Sequence, residues 1–131
     1  MNKKNSEIEH YGSCHCKNVQ YKIISSKEID IISCSCSICI LEDYMHLIVN
    51  KSKFNLFKGK NELVEYSFNS HEAKHYFCKN CGIKSFYIPR SHPDSISVNF
   101  RCINNNKLKI KNIIEFDGKN WEKNISSLKN K

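Results

Sequence analysis

The spacing of the cysteines constrains this chain more than any other feature. Eight cysteines fall within 131 residues: Cys14-His15-Cys16, then Cys34-Ser35-Cys36-Ser37-Ile38-Cys39, then Cys78-Lys79-Asn80-Cys81, and Cys102 by itself. Residues 1–10 are polar and contain no apolar stretch of the kind a secretion signal needs. That predicts a cytoplasmic chain, in which thiols stay reduced. Cysteines one or two residues apart then read as metal ligands rather than as a disulfide framework.

The two outer pairs suit a single metal. On an extended backbone, residues i and i+2 point to the same side, so Cys14 and Cys16 present both sulfurs together. A C-x-x-C instead turns the chain until its sulfurs converge. Gly82 directly after Cys81 fits such a turn, because Gly adopts positive φ without strain. Cys14 and Cys16 with Cys78 and Cys81 make four thiolate ligands, the usual structural zinc set. The metal would close a loop of some sixty residues, and its binding would supply folding free energy.

Cys34, Cys36 and Cys39 offer three more ligands within six residues. Three protein ligands leave a fourth position for water or substrate, as in a catalytic zinc site. The same trio also suits a closed second site, with Cys102, His46, His71 or His75 as fourth ligand, or a redox role for exposed thiols. Spacing alone leaves these three open.

The rest of the chain reads as mainly β. Short apolar or alternating runs recur at 19–24, 29–34, 47–49, 54–57, 63–68, 75–77, 85–88, 95–100, 108–110 and 113–116, separated by turn signals. Residues 34–43 read as a tight ligand loop ending in one helical turn. No run of ten or more residues has helical periodicity. The expected organisation is a flexible leader over 1–10, one zinc-binding domain over 11–122, and a frayed tail over 123–131. No apolar run approaches the ~18 residues of a membrane span.

The net charge of +8 invites a nucleic-acid reading. The 21 basic residues are 19 scattered lysines and two arginines, Arg90 and Arg101, without a basic helix. Base readout relies on arginine forks, so a solvated lysine surface explains the charge better.

Several longer segments carry a family resemblance: Gly12-Ser13-Cys14-His15-Cys16 with Val19, the Cys34–Cys39 run, and Phe77-Cys78-Lys79-Asn80-Cys81-Gly82. His46-Leu47-Ile48-Val49, Ser85 through Asp94, Val98-Asn99-Phe100-Arg101-Cys102 and Phe116 through Trp121 extend it. Together they resemble the glutathione-dependent formaldehyde-activating enzyme family, which also includes centromere protein V. The resemblance implies a β-tent of small antiparallel sheets stapled by zinc. It implies two zinc ions per chain, a structural one on Cys14, Cys16, Cys78 and Cys81 and a catalytic-type one on Cys34, Cys36 and Cys39. It also implies a carbon–sulfur lyase that condenses glutathione with formaldehyde to S-hydroxymethylglutathione.

Two functional readings follow. The first is a zinc enzyme acting on a small thiol and an aldehyde or thioadduct, with Cys34, Cys36 and Cys39 at the reacting centre. Arg90 and His75 are candidate substrate-binding residues, Arg90 through a bidentate contact to a carboxylate. Glu42, Asp43 or a histidine would serve as acid or base. The second is a zinc-stabilised, non-catalytic binding module for nucleic acid or protein, supported by the charge and by the centromere-protein resemblance.

Overall fold

The computed structural model describes residues 7–34, 37–68, 73–89, 94–104 and 108–116. Among the described residues, ten strands and one short α-helix follow one another. They are β1 (Glu7–Ser13), β2 (Gln20–Ser26), β3 (Glu28–Cys34), α1 (Ser37–Glu42), β4 (Met45–Asn50), β5 (Phe54–Lys58), β6 (Leu63–Tyr66), β7 (Lys74–Cys78), β8 (Phe86–Ile88), β9 (Ser95–Asn99) and β10 (Lys109–Phe116). The mainly β class expected from the pattern is the class adopted.

The strands form two sheets. One is three-stranded, in the order β1-β2-β5, and the other seven-stranded, in the order β10-β3-β4-β9-β8-β7-β6. All pairings between the strands are antiparallel except one: β10 runs parallel to β3, from Lys109 opposite Glu28 to Phe116 opposite Cys34.

Two expectations change. Residues 7–10 belong to strand β1, not to a flexible leader. Glu7 pairs with Ser26 and His10 with Ile23, and the His10 side chain is fully buried. Its polar composition hid this strand, which presents glutamates outward and buries His10, Gly12 and Ser13. The two short runs read at 108–110 and 113–116 are one strand, β10, with a register shift between Ile110 and Asn112. A bulge of that kind breaks the alternation on which the reading rested.

Alternation fixes what each strand buries. Tyr21, Ile23 and Ser25 of β2 face inward, as do Ile29 and Ile31 of β3. Leu47 and Val49 of β4 and Ile96 and Val98 of β9 complete the centre of the core. An aromatic cluster joins the sheets. The Tyr21 ring stacks on Phe54 at 5.3 Å and meets Phe86 edge-on at 5.7 Å, while Phe54 and Phe86 lie 4.7 Å apart. Tyr21 and Phe54 belong to the small sheet and Phe86 to the large one. Tyr21 fits because its cross-strand neighbour is Gly12, where a Cβ would stand 2.5 Å from the ring. Among the described residues no helix is long and apolar enough to cross a membrane.

Candidate metal centre

Two turns from distant parts of the chain meet at one end of the core. The first follows β1, where the amide of Cys14 donates to the Val19 carbonyl (3.1 Å) and that of Lys17 to the Cys14 carbonyl (3.2 Å). The second follows β7, where the amide of Cys78 donates to the Ile83 carbonyl (3.1 Å) and that of Gly82 to the Cys78 carbonyl (2.8 Å). In both turns the residue after the second cysteine has positive φ, 67° at Lys17 and 78° at Gly82. Gly82 adopts this without strain; Lys17 does so at a cost, which the turn must offset.

The two turns bring four sulfurs together. The ligand atoms of Cys14, Cys16, Cys78 and Cys81 all lie within 4.8 Å of one another. Cys14 Sγ and Cys16 Sγ are 3.7 Å apart, as are Cys16 Sγ and Cys78 Sγ. A tetrahedral zinc with sulfur at ~2.3 Å requires sulfur–sulfur separations of about 3.8 Å. The thiol set therefore fits zinc in both chemistry and spacing. Backbone amides already face the sulfurs: Val19 N–H donates to Cys14 Sγ at 3.3 Å and Asn80 N–H to Cys78 Sγ at 3.4 Å. Such donors stabilise thiolates rather than thiols.

The protons are shared unevenly among these groups. Burial pushes the Cys14 thiol up to about 11, against the lowering effect of the Val19 amide. Burial also acts to raise Cys81, but the amides of Cys16 and Ile83 and the neighbouring thiols outweigh it and bring Cys81 down to about 6. Cys16 is lowered too, first by its contact with Asn80 and then by the amide of Asn18. The cluster thus holds thiolate character before any metal arrives.

The middle cysteines are placed only in part. Cys34 ends β3, and Cys39 sits buried in α1, where its carbonyl accepts from the Tyr44 amide at 3.3 Å. Cys36 lies outside the described residues, as do Arg90, His71 and Trp121. Cys102 lies beside Ser85 and senses the charge of Cys81; burial pushes its thiol up.

A second cluster adjoins α1, and sequence reasoning found only some of its members. Lys84 is 6% exposed. Its ammonium donates to Glu42 Oε1 at 2.7 Å and to His75 Nδ1 at 2.8 Å. An ammonium has no acceptor, so Nδ1 of His75 must accept, and the neutral ring carries its proton on Nε2. The same ammonium lies 4.5 Å from the centre of the Tyr87 ring and 4.8 Å from that of Tyr44, both within cation–π range. His75 is buried and stacks on Tyr87 at 4.5 Å. Nearby, His46 Nδ1 meets the Ser97 hydroxyl at 2.9 Å and the Tyr87 hydroxyl at 3.2 Å, and the Tyr44 hydroxyl donates to the Ser97 carbonyl at 2.6 Å. The only sequence signal for Lys84 was a charge set between a C-x-x-C turn and the apolar run Phe86-Tyr87-Ile88.

A crystal structure of a Rhodobacter sphaeroides protein is similar to this chain, with a TM-score of 0.66 and 27% sequence identity over 79% of this chain and 98% of that one. The model of one family, glutathione-dependent formaldehyde-activating enzyme, matches residues 9–120. That span covers both knuckles, the middle cysteines and all ten strands but for the first two residues of β1. The chain therefore belongs to the glutathione-dependent formaldehyde-activating enzyme family.

Proposed function

We propose that this protein is a zinc-dependent carbon–sulfur lyase that joins a small thiol of the glutathione type to an aldehyde, or releases the two from their adduct. The observation that carries this reading is the family match over residues 9–120, with every cysteine of both ligand sets present. The convergence of Cys14, Cys16, Cys78 and Cys81 supports a structural zinc. The tie between β1 and β7 would hold the sheets on which the remaining residues are mounted.

Cys34, Cys36 and Cys39 are the ligands we assign to a second, catalytic-type zinc, giving two per chain. Zinc bound there would supply a Lewis-acid position that favours the thiolate form of an incoming thiol or polarises a carbonyl. Tyr44, two residues after α1, is buried and packs against the buried rings of His46 and Tyr87, which would keep water from that part of the site. In the forward direction one carbon–sulfur bond forms and the carbonyl π bond is lost. The thiol proton ends on the former carbonyl oxygen, which gives the hydroxymethyl thioether. Thiolate ligands need a reducing compartment, which supports a cytoplasmic location. Arg90 and His75 remain our candidates for substrate contact, His75 through the Lys84 cluster.

The test is the rate at which isotopically labelled formaldehyde exchanges with glutathione, followed by NMR on zinc-loaded protein. Wild type is expected to accelerate formation of S-hydroxymethylglutathione above the spontaneous rate, and Cys36→Ser to abolish the acceleration while keeping its fold. Absence of acceleration by the zinc-loaded wild type would refute the reading.

A further inference from the structure

The Lys84 ammonium is the most deeply buried charge among the described residues, and it is neutralised by a side chain at the surface. Its own side chain is 4% exposed and that of Glu42 32%. A buried ammonium requires an anion beside it, because burial removes the water that would otherwise solvate it. Glu42 meets that need from the last position of α1. The chain beyond it is fixed. Asp43 turns back in the left-handed region (φ 51°), and Arg101 donates to both the Asp43 carbonyl (3.2 Å) and its carboxylate (2.9 Å). The Glu42 carboxylate is thus a solvent-side group on an anchored backbone, and its side chain can swing out. Lys84 cannot follow, since its backbone is held through Asn99, which bonds the Lys84 and Ser85 carbonyls, and its ammonium is enclosed by the Tyr44 and Tyr87 rings and His75.

We propose that Lys84 is the carboxylate-recognition residue of this protein, and that Glu42 is an internal carboxylate which occupies it until a carboxylate of the substrate takes its place. This rests on the reading of the chain as an enzyme for a glutathione-type thiol, and it names how such a thiol is held. Exchange of one carboxylate for another never leaves the ammonium unpaired, so it avoids the desolvation penalty of simply breaking the pair. The location also suits the chemistry. Glu42 follows Cys39 by three residues on the same helix, and side chains so spaced share a face. A carboxylate seated on Lys84 would therefore anchor its molecule beside the helix that carries Cys39. Tyr44 and Tyr87 offer their ring faces to the cation, and His75 Nδ1 accepts a hydrogen bond from it. These contacts fix the ammonium and leave one direction, that of Glu42, for an exchangeable anion.

The test is calorimetric titration of the zinc-loaded full chain with S-methylglutathione, which keeps both carboxylates but has no thiol to ligate zinc. Its diester is the second probe. Lys84→Met should weaken binding of S-methylglutathione at least tenfold, whereas Glu42→Gln, which removes the competing carboxylate, should bind it as tightly as wild type or more tightly. The diester should bind all three weakly. The proposal is overturned if wild type does not bind S-methylglutathione or binds acid and ester alike, or if Glu42→Gln weakens binding as Lys84→Met does. A purely structural ion pair would make both variants lose stability together without this opposite effect on affinity. Should Lys84→Met not fold, Glu42→Gln and the ester comparison decide by themselves. Binding as expected without turnover of glutathione and formaldehyde would remove the enzyme reading and keep the carboxylate site. Turnover with an unchanged KM in Lys84→Met would do the reverse.

Discussion

Cys16 Sγ and Cys78 Sγ lie 3.7 Å apart although 62 residues separate them in the chain. The contact joins the turn after β1 to the end of β7, and hence the three-stranded sheet to the seven-stranded one. A metal held at this point would tie the two sheets to each other.

Removal of one ligand should therefore be severe. Structural zinc sites in small peptides contribute roughly 10–16 kcal/mol, against a net stability of about 5–15 kcal/mol for a whole domain. Cys78→Ser is expected to lose its structural zinc and to lack a cooperative thermal transition at room temperature by circular dichroism. A melting temperature within a few degrees of wild type would show that packing holds the sheets without the metal.

The middle cysteines should behave differently. Elemental analysis of freshly purified protein under reducing conditions should give about two zincs per chain for wild type. Cys36→Ser should give about one, with a melting temperature lowered only slightly. Unfolding of that variant would mean that the second site is structural as well.

Gly12 and Gly82 are required for different reasons, and substitution should separate them. A Cβ at Gly12 would meet the Tyr21 ring at 2.5 Å, within the aromatic cluster that joins the sheets. Gly12→Ala should cost about 1–3 kcal/mol, the range for an overpacked core. At Gly82 nothing lies within 4 Å of an added Cβ, and only the φ of 78° resists a side chain. Gly82→Asn should thus be tolerated better than Gly82→Ala, since Asn visits the left-handed region more readily. Urea denaturation of the zinc-loaded variants gives the order.

The uneven thiol acidities should appear as an order of alkylation in the first moments after the metal is chelated, before the fold that it holds is lost. A thiolate reacts and a thiol does not. Cys81, brought down to about 6, is mostly thiolate at neutral pH and should slow only as the pH falls below about 6. Cys14, pushed up to about 11 and buried, should react last and speed up only in strong alkali. Peptide mapping after brief iodoacetamide treatment at pH 7 reads the order directly. Equal rates at all four positions would mean that the knuckles lose their geometry with the metal.

The architecture was legible wherever it depends on local pattern. Nine of the ten strands overlap runs that the alternation of apolar and polar residues marks out, because period-two burial follows from the backbone itself. β1 escaped because its inward positions are His10, Gly12 and Ser13, which carry no hydrophobic signal. The direction of β10 escaped for another reason. A strand alternates in the same way whether its neighbour runs parallel or antiparallel, so only the pairing of β10 with β3 in the folded chain decides which.

The candidate sites divide along the same line. Knuckle spacing is local geometry, so C-x-C and C-x-x-C with Gly82 identified the four-sulfur site before any fold was known, and the family resemblance carried the remaining cysteines. Lys84 was invisible, because a lysine in a sequence is a solvated charge by default. Only the packing of β7, β8 and α1 strips its water away and sets Glu42, His75, Tyr44 and Tyr87 around it. Ligand type and spacing are properties of a short stretch of backbone, so the order of residues was enough to mark the four thiols that could share a metal. The tertiary structure alone decided which charge is buried and what neutralises it, since burial belongs to contacts between residues far apart in the chain.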